Sequence, residues 1–306
     1  MYRKLAIATI AAVYLLIWVG GVVRASGAGM GCPDWPKCFG SWVPPTNVDQ
    51  LPVDYQEIYG AKLKGEVEFN VVKTWTEYVN RLVGVAIGIL IFATMISAIR
   101  TYKATKPRIV FYSVLSFVFV VFEGWLGSKV VSTELHPVLV TVHMVLALVI
   151  VMFLIYALFL SEDFGAIPGI DRSKGLLLTI GLVLSFGQLI LGTQVREGID
   201  EAYLAGMPRA GWIETLGGQY YLHIALAVLV VLINVILYRS LKEVLSGEPM
   251  LKWLLGLVVL EFVIGLILGL AGMPAVGQPF HLTIATLVIG IQFFLLMKVR
   301  LASNVG

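Results

Sequence analysis

The amino-acid sequence predicts an all-α membrane protein, with eight transmembrane helices arranged as two four-helix bundles related by a pseudo-twofold axis. Three observations carry this expectation. Over 306 residues the chain is 58% hydrophobic and 13% charged, too little polar surface for a soluble domain of that size. The apolar residues fall into eight runs, roughly 5–25, 76–99, 108–130, 138–160, 174–195, 219–239, 251–271 and 279–298. Each is near the length of about 20 residues that crosses a bilayer core as helix, and none alternates as a barrel strand does. Finally, the second half of the chain repeats features of the first.

The elements follow in order. Arg3 and Lys4 precede the first run. It reads as a retained helix rather than a cleaved signal peptide, because the loop "RASGAGMGCPDWPKC" follows without a small-residue cleavage site. A structured outward loop, 26–74, holds both cysteines, Cys32 and Cys38, with Pro33 and Pro36 between them. On an oxidising face a disulfide is the favoured reading, with two free thiols the alternative; zinc would need further soft ligands nearby. The second run opens with "TEYVNRLVG" (76–84), which sets Glu77, Asn80 and Arg81 at the edge of the hydrocarbon slab, where such groups are expensive. Basic residues then mark one side of the membrane: Arg100, Lys103, Lys106 and Arg108 in the second link, Arg172 and Lys174 in the fourth. Arg239, Lys242 and Lys252 in the sixth link continue the pattern, with Lys298 and Arg300 at the end. By the positive-inside rule both termini are cytoplasmic, in a multi-pass protein of the cell membrane. A net charge of +3 without a long basic tract offers nothing to nucleic acid.

The repeat divides the chain into an N-terminal half, 1–161, and a C-terminal half, 162–306. At an offset of 138, Glu123 matches Glu261, Gly127 matches Gly265, His143 matches His281 and Ala147 matches Ala285. A weaker overlay of "EYVNRLVGV" (77–85) on "YYLHIALAV" (220–228) sets Asn80 on His223 and Tyr220 in the place of Glu77. The ends "GVVRASG" (21–27) and "GTQVREG" (192–198) correspond likewise. Four crossings return the chain to its starting side, so both copies run the same way.

All four histidines, His136, His143, His223 and His281, lie near the outward side. His223 and His281 begin inward-running helices of one half, where two facing imidazoles suit the axial positions of a haem iron. Helix-gluing or quinone-binding histidines are the bland alternative. Arg24, Arg81 and Arg196, at outward helix ends, suit forked hydrogen bonds to haem propionates, or else snorkel to lipid headgroups. Glu77 and Arg81 stand four apart, the spacing of a structural ion pair; the functional alternative is that Glu77 faces His143 and handles protons. Glu123 and Glu261, present in both halves, are expected to serve packing or structure.

These pieces resemble the haem A synthase family over nearly the whole chain. The most specific is "GGVVRASGAGMGCPDWPKCFG" (20–40), joined by "EYVNR" (77–81), "VTVHMVLAL" (140–148), "YYLHIALA" (220–227) and "PFHLTIATL" (279–287). The resemblance implies a C-terminal half that binds haem b through His223 and His281. It implies an N-terminal half that binds haem O and oxidises its C8 methyl group by two hydroxylations, through a gem-diol that loses water to a formyl group. It also implies a Cys32–Cys38 disulfide, an essential Glu77, and haem O synthase as the partner that hands over substrate.

The chain departs from the family pattern at Asn80, where the best-known members have a second histidine. The expectation is that haem O iron is held by His143 alone or with a weak partner, His136 being the alternative ligand although it precedes Pro137 outside the helix. Two rival functions stand beside the synthase: a transmembrane b-type cytochrome confined to electron transfer, and a transporter, which parallel copies with shallow histidines fit poorly.

Overall fold

The computed structural model describes residues 1–60, 69–162 and 172–303. The predicted fourth link, and residues 61–68 of the predicted outward loop, lie largely or wholly outside these residues. Among the described residues, eight helices are long and apolar enough to cross a membrane: α1 (Tyr2–Ala25), α3 (Val71–Tyr102), α4 (Pro107–Ser132), α5 (Pro137–Ser161), α6 (Arg172–Leu204), α8 (Gly217–Leu241), α9 (Pro249–Leu270) and α10 (Gly277–Ser303). Two short helices, α2 (Tyr55–Tyr59) and α7 (Trp212–Thr215), lie in the links, and no strand occurs among the described residues. The protein is an all-α multi-pass membrane protein.

Two helices run well past their apolar stretches. α3 starts five residues early because the Asn70 side chain accepts a hydrogen bond from the Lys73 amide at 3.0 Å, satisfying one orphan donor of the first turn. α6 continues nine residues beyond the predicted end at 195. There Val195, Ile199 and Ala202 bury one face, while Arg196, Glu197, Asp200 and Glu201 take the other. A hydropathy run averages over both faces and stops at the charges; the i, i+4, i+7 stripe carries the helix on.

The chain divides into two compact units, Met1–Leu154 and Ile155–Gly306. In the first, α3 packs on α1 and α4. Thr9 and Thr94 hydroxyls meet at 2.7 Å between α1 and α3, and Tyr2 meets Ser113 at 3.4 Å between α1 and α4. Such hydroxyl pairs join helices where no hydrophobic force separates protein from lipid. Phe153 of α5 lies edge-on to Phe119 of α4. In the second unit α6 packs on α8 and α10, and α9 packs on the same two. The buried Gln292 of α10 donates to Asn234 of α8 at 3.0 Å. Near the basic end, Lys298 pairs with Glu248.

α4 and α9 stop in the same way. The amide of Leu135 bonds the carbonyl of Val130 at 2.8 Å, and that of Met273 bonds Leu268 at 2.8 Å. Both are six-to-one bonds of a left-handed helix stop. Glu134 and Leu135 have φ of 54° and 61°, Gly272 and Met273 have 66° and 59°.

Candidate haem site

The loop end of the first unit is built around Cys32 and Cys38, which form a disulfide. A small apolar core of Phe39 and Leu51 surrounds it, with Tyr55, Tyr59, Phe69 and Tyr78 packed on it. Asp34 accepts from the amides of Phe39 at 2.6 Å and Gly40 at 2.9 Å, which closes the turn between the cysteines and Ser41. The Tyr59 phenol is pushed up from its ordinary range by partial burial and by Asp34 and Asp54 nearby. Gly31 lies so near α3 that a Cβ there would come within 2.4 Å of the Lys73 carbonyl, so only glycine fits.

Glu77, 3% exposed, anchors this loop to α3. Its Oε2 accepts from the Cys32 amide at 2.7 Å, while Oε1 pairs with Arg81. Arg81 in turn donates to the carbonyls of Asp34 at 2.7 Å, Lys37 at 3.1 Å and Cys32 at 2.8 Å. Of the two sequence readings for this pair, the geometry has the ion pair, with the disulfide loop as its third member. A buried charge held this way has its lone pairs satisfied. Arg24 sits half-buried in the last turn of α1.

Deeper in the same unit, Nδ1 of His143 lies 3.2 Å from Oε1 of Glu123 on α4. The ring rests against Gly127, where a Cβ would come 3.4 Å from its Cε1. Asn80 faces inward from α3 with a buried Oδ1 that has no hydrogen-bond partner.

In the second unit His223 and His281 come together, ring centroids 6.4 Å apart and planes at 75°. Nδ1 of His281 lies 2.9 Å from Oε1 of Glu261 on α9, a hydrogen-bonding distance with the carboxylate off the ideal N–H direction. His223 meets Gln188 of α6: the Gln188 Nε2 is 3.3 Å from its Nε2 and donates to its carbonyl at 3.1 Å. A Cβ on Gly192 would lie 3.2 Å from Cε1 of His223, and one on Gly265 3.0 Å from Cε1 of His281. Tyr220, at the place of Glu77, sets its hydroxyl over Gly269, where a Cβ would be 2.3 Å away. Arg196 pairs with Asp200 at 2.8 Å. Arg209, not singled out from the sequence, donates to the carbonyls of Gly272 at 2.7 Å and Met273 at 2.5 Å and so ties two links together.

Among the described residues no group of three or more His, Cys, Asp or Glu side chains converges. A pair of imidazoles suits a macrocycle that brings its own equatorial nitrogens. Iron between two imidazoles, with bonds of about 2 Å and about 1 Å from each nitrogen to its ring centre, needs roughly 6 Å between centroids. The observed 6.4 Å meets that requirement. The His223 Nδ1 is buried without a hydrogen-bond partner, leaving ring nitrogen capacity unused. The residues present fit a bis-imidazole haem.

Sequence reasoning missed the contacts of Glu123, Glu261 and Gln188 with these rings. The signal for the first two was the shared spacing of 20 residues between glutamate and histidine; for Gln188 it was only a polar residue inside an apolar run.

Among known proteins, the chain is 25% identical to the haem A synthase of Shewanella oneidensis over 206 residues, 66% of this chain and 59% of that protein. It is 28% identical to the haem A synthase of Geobacillus thermodenitrificans and 26% to that of Bacillus cereus, each over 130 residues or 42% of this chain, covering 33% and 34% of those proteins. The matched region therefore spans under two thirds of these relatives' own length. Residues 3–293 match the family described as cytochrome oxidase assembly protein. With nearly its whole length covered by that match, the chain belongs to the COX15-CtaA family of cytochrome oxidase assembly proteins.

Proposed function

We propose that the protein is a haem A synthase, a membrane oxidoreductase that converts the C8 methyl group of haem O to a formyl group by successive hydroxylations. The single observation that carries the reading is the inequality of the two histidine sites. One unit sets two imidazoles 6.4 Å apart, while the other offers His143 opposite no second histidine in the repeat, only Asn80. In this reading His223 and His281 hold haem b, which supplies electron transfer when bound. His143 holds the iron of the substrate, haem O, with Asn80 leaving its other face open for oxygen chemistry. The relatives named haem A synthase support the synthase reading.

The chain's own residues then divide the work. Arg81 and Glu77 fix the disulfide loop over the loop end of the substrate half, which shields that half from water. Glu77 is the proposed catalytic acid–base group, and movement of the Cys32 amide away from Oε2 is what frees it. Arg24 and Arg196 are proposed to meet propionates. The loop end faces outward and the basic end the cytoplasm. Haem O reaches the protein from haem O synthase, and a separate electron donor serves haem b.

Purification followed by pyridine-haemochrome and mass analysis of the bound porphyrins tests the reading. A synthase carries haem b together with haem O, its hydroxylated form or haem A. Haem b alone, in cells that make haem O, overturns it in favour of the electron-transfer cytochrome. That second reading draws on one observation: both Glu77 oxygens are engaged by Cys32 and Arg81.

A further inference from the structure

Three helices carry the same local device. On α4, Glu123 precedes Gly127 by four residues; on α9, Glu261 precedes Gly265 by four; on α6, Gln188 precedes Gly192 by four. Residues four apart lie one above the other on a helix face. In each case the imidazole rests on the glycine: a Cβ would crowd His281 at 3.0 Å and His223 at 3.2 Å, and would be in ordinary contact with His143 at 3.4 Å. The polar residue one turn away then meets that same ring, Glu123 at 3.2 Å from Nδ1 of His143 and Glu261 at 2.9 Å from Nδ1 of His281, whereas Gln188 lies 3.3 Å from the other nitrogen, Nε2, of His223. The fourth place breaks the pattern. On α1 the glycine matched to Gly192 is Gly21, and four residues before it stands Ile17, opposite Asn80 in the repeat. Where the histidine is absent, so is its polar partner.

A carboxylate inside a hydrocarbon slab is costly and is retained for a task. For Glu123 and Glu261 a simple helix-joining role leaves the glycine one turn on without a purpose. The glycine and the carboxylate together orient a ring. An imidazole whose Nδ1 hydrogen faces a carboxylate is fixed in tautomer and offers Nε2, and the carboxylate raises its basicity as a ligand.

We propose that Glu261 and Glu123 are positioning residues. They hold Nδ1 of His281 and His143, so that Nε2 is the nitrogen offered to a haem iron, and the charge of Glu261 sets the electron affinity of the haem shared with His223. The inference rests on the haem-binding reading above. It makes the two histidines unequal: His281 has a carboxylate at Nδ1, while His223 has a neutral amide at Nε2 and an Nδ1 without a hydrogen-bond partner. It also gives His143 of the first unit a carboxylate behind it, so that half keeps a strong donor although Asn80 stands in the place of the second one.

The test uses the purified full-length protein in wild-type form and as Glu261→Gln, Glu261→Ala and Gln188→Ala. Three quantities are read from each: haem b content, haem midpoint potential and the ferric low-spin electron paramagnetic resonance spectrum. Glu261→Gln is expected to keep haem b while its potential rises and its resonance shifts, because a neutral amide no longer favours the ferric iron. Glu261→Ala is expected to lose about tenfold or more in haem retention. Gln188→Ala is expected to move the potential less than Glu261→Gln does. A Glu261→Gln protein with full haem content and unchanged potential and spectrum overturns the proposal, whatever its melting temperature, since a structural role alone gives that result. Wild-type protein without haem b would instead overturn the haem-binding reading. For the first unit, Glu123→Gln loaded with haem O is expected to shift the absorption spectrum, and an unchanged spectrum counts against Glu123.

Discussion

At the loop end of the first unit a buried carboxylate and a guanidinium hold a disulfide-closed loop against α3. At the loop end of the second unit Tyr220 stands where the repeat has Glu77 and packs its hydroxyl over Gly269, while Arg209 donates to two neutral carbonyls and lies over the Trp212 ring. The contrast deepens one turn further in: two rings face each other in the second unit, one ring and an unpartnered amide oxygen occupy the first. A scaffold repeated in sequence thus has one end where a buried ion pair holds a loop beside a single ring, and one where two rings face each other. In the synthase reading proposed above, the first end is where a substrate is changed and the second is where a cofactor is kept.

The sharpest way to break the comparison is through the two arginines. Removing Arg81 strands the buried Glu77 charge, so Arg81→Met is expected to destabilise the protein by about 3 kcal/mol or more. Arg209→Met removes hydrogen bonds to neutral, part-exposed carbonyls and is expected to cost about 1–2 kcal/mol. Thermal unfolding of both variants in the same detergent decides it, and equal costs would mean that the two loop ends are held alike.

The histidines give the next effect. His223→Ala or His281→Ala is expected to lower haem b retention by about 100-fold, whereas His143→Ala leaves it in place. Haem b content by pyridine haemochrome reads the difference directly. Loss of haem b in His143→Ala and not in the other two would reverse the roles of the units.

Opening the Cys32–Cys38 bridge, which closes a loop with a sequence separation of 6, is expected to cost about 2 kcal/mol. It should also loosen the Cys32 amide from Glu77, so hydrogen exchange at Cys32 rises in Cys32→Ser/Cys38→Ser. Smaller again is the pair of glycines. Gly265→Ala brings a methyl group within 3.0 Å of His281, Gly127→Ala within 3.4 Å of His143. The first forces the ring to shift and is expected to cost about 1 kcal/mol; the second is ordinary contact and is expected to cost less.

Most of the architecture was legible in the sequence because the bilayer demands it: eight runs of spanning length could hardly be anything but helices. The boundaries were less so, since the end of α6 is amphipathic and α3 begins at a side-chain cap, neither of which raises hydropathy. Paired histidines were legible through their matched places in two halves. What holds them was not, because a partner across a helix interface has no fixed sequence distance. Glu261 finds His281 twenty residues on by way of a helix stop and return, and Gln188 finds His223 across 35 residues. Glu77 was ambiguous for a different reason: spacing gives the partner Arg81, but only folding brings the Cys32 amide from 45 residues away.

The smallest stability effect, and the one that tests the asymmetry most directly, belongs to Asn80. Its buried Oδ1 has no hydrogen-bond partner, so Asn80→Ala removes an unsatisfied group without stranding another there. The expected change in stability is within about 0.5 kcal/mol, of either sign. A purely structural asparagine would show a larger loss. The same position gives a strong spectroscopic contrast, because an added imidazole on α3 would complete the pair that the second unit already has. In protein loaded with haem O, Asn80→Ala is expected to leave the absorption spectrum as it is, and Asn80→His to convert it towards a six-coordinate, low-spin form. Should Asn80→His leave the resting spectrum untouched, the iron in that half was not open on the Asn80 side, and the difference between the units would have to lie in Glu77 and its loop alone.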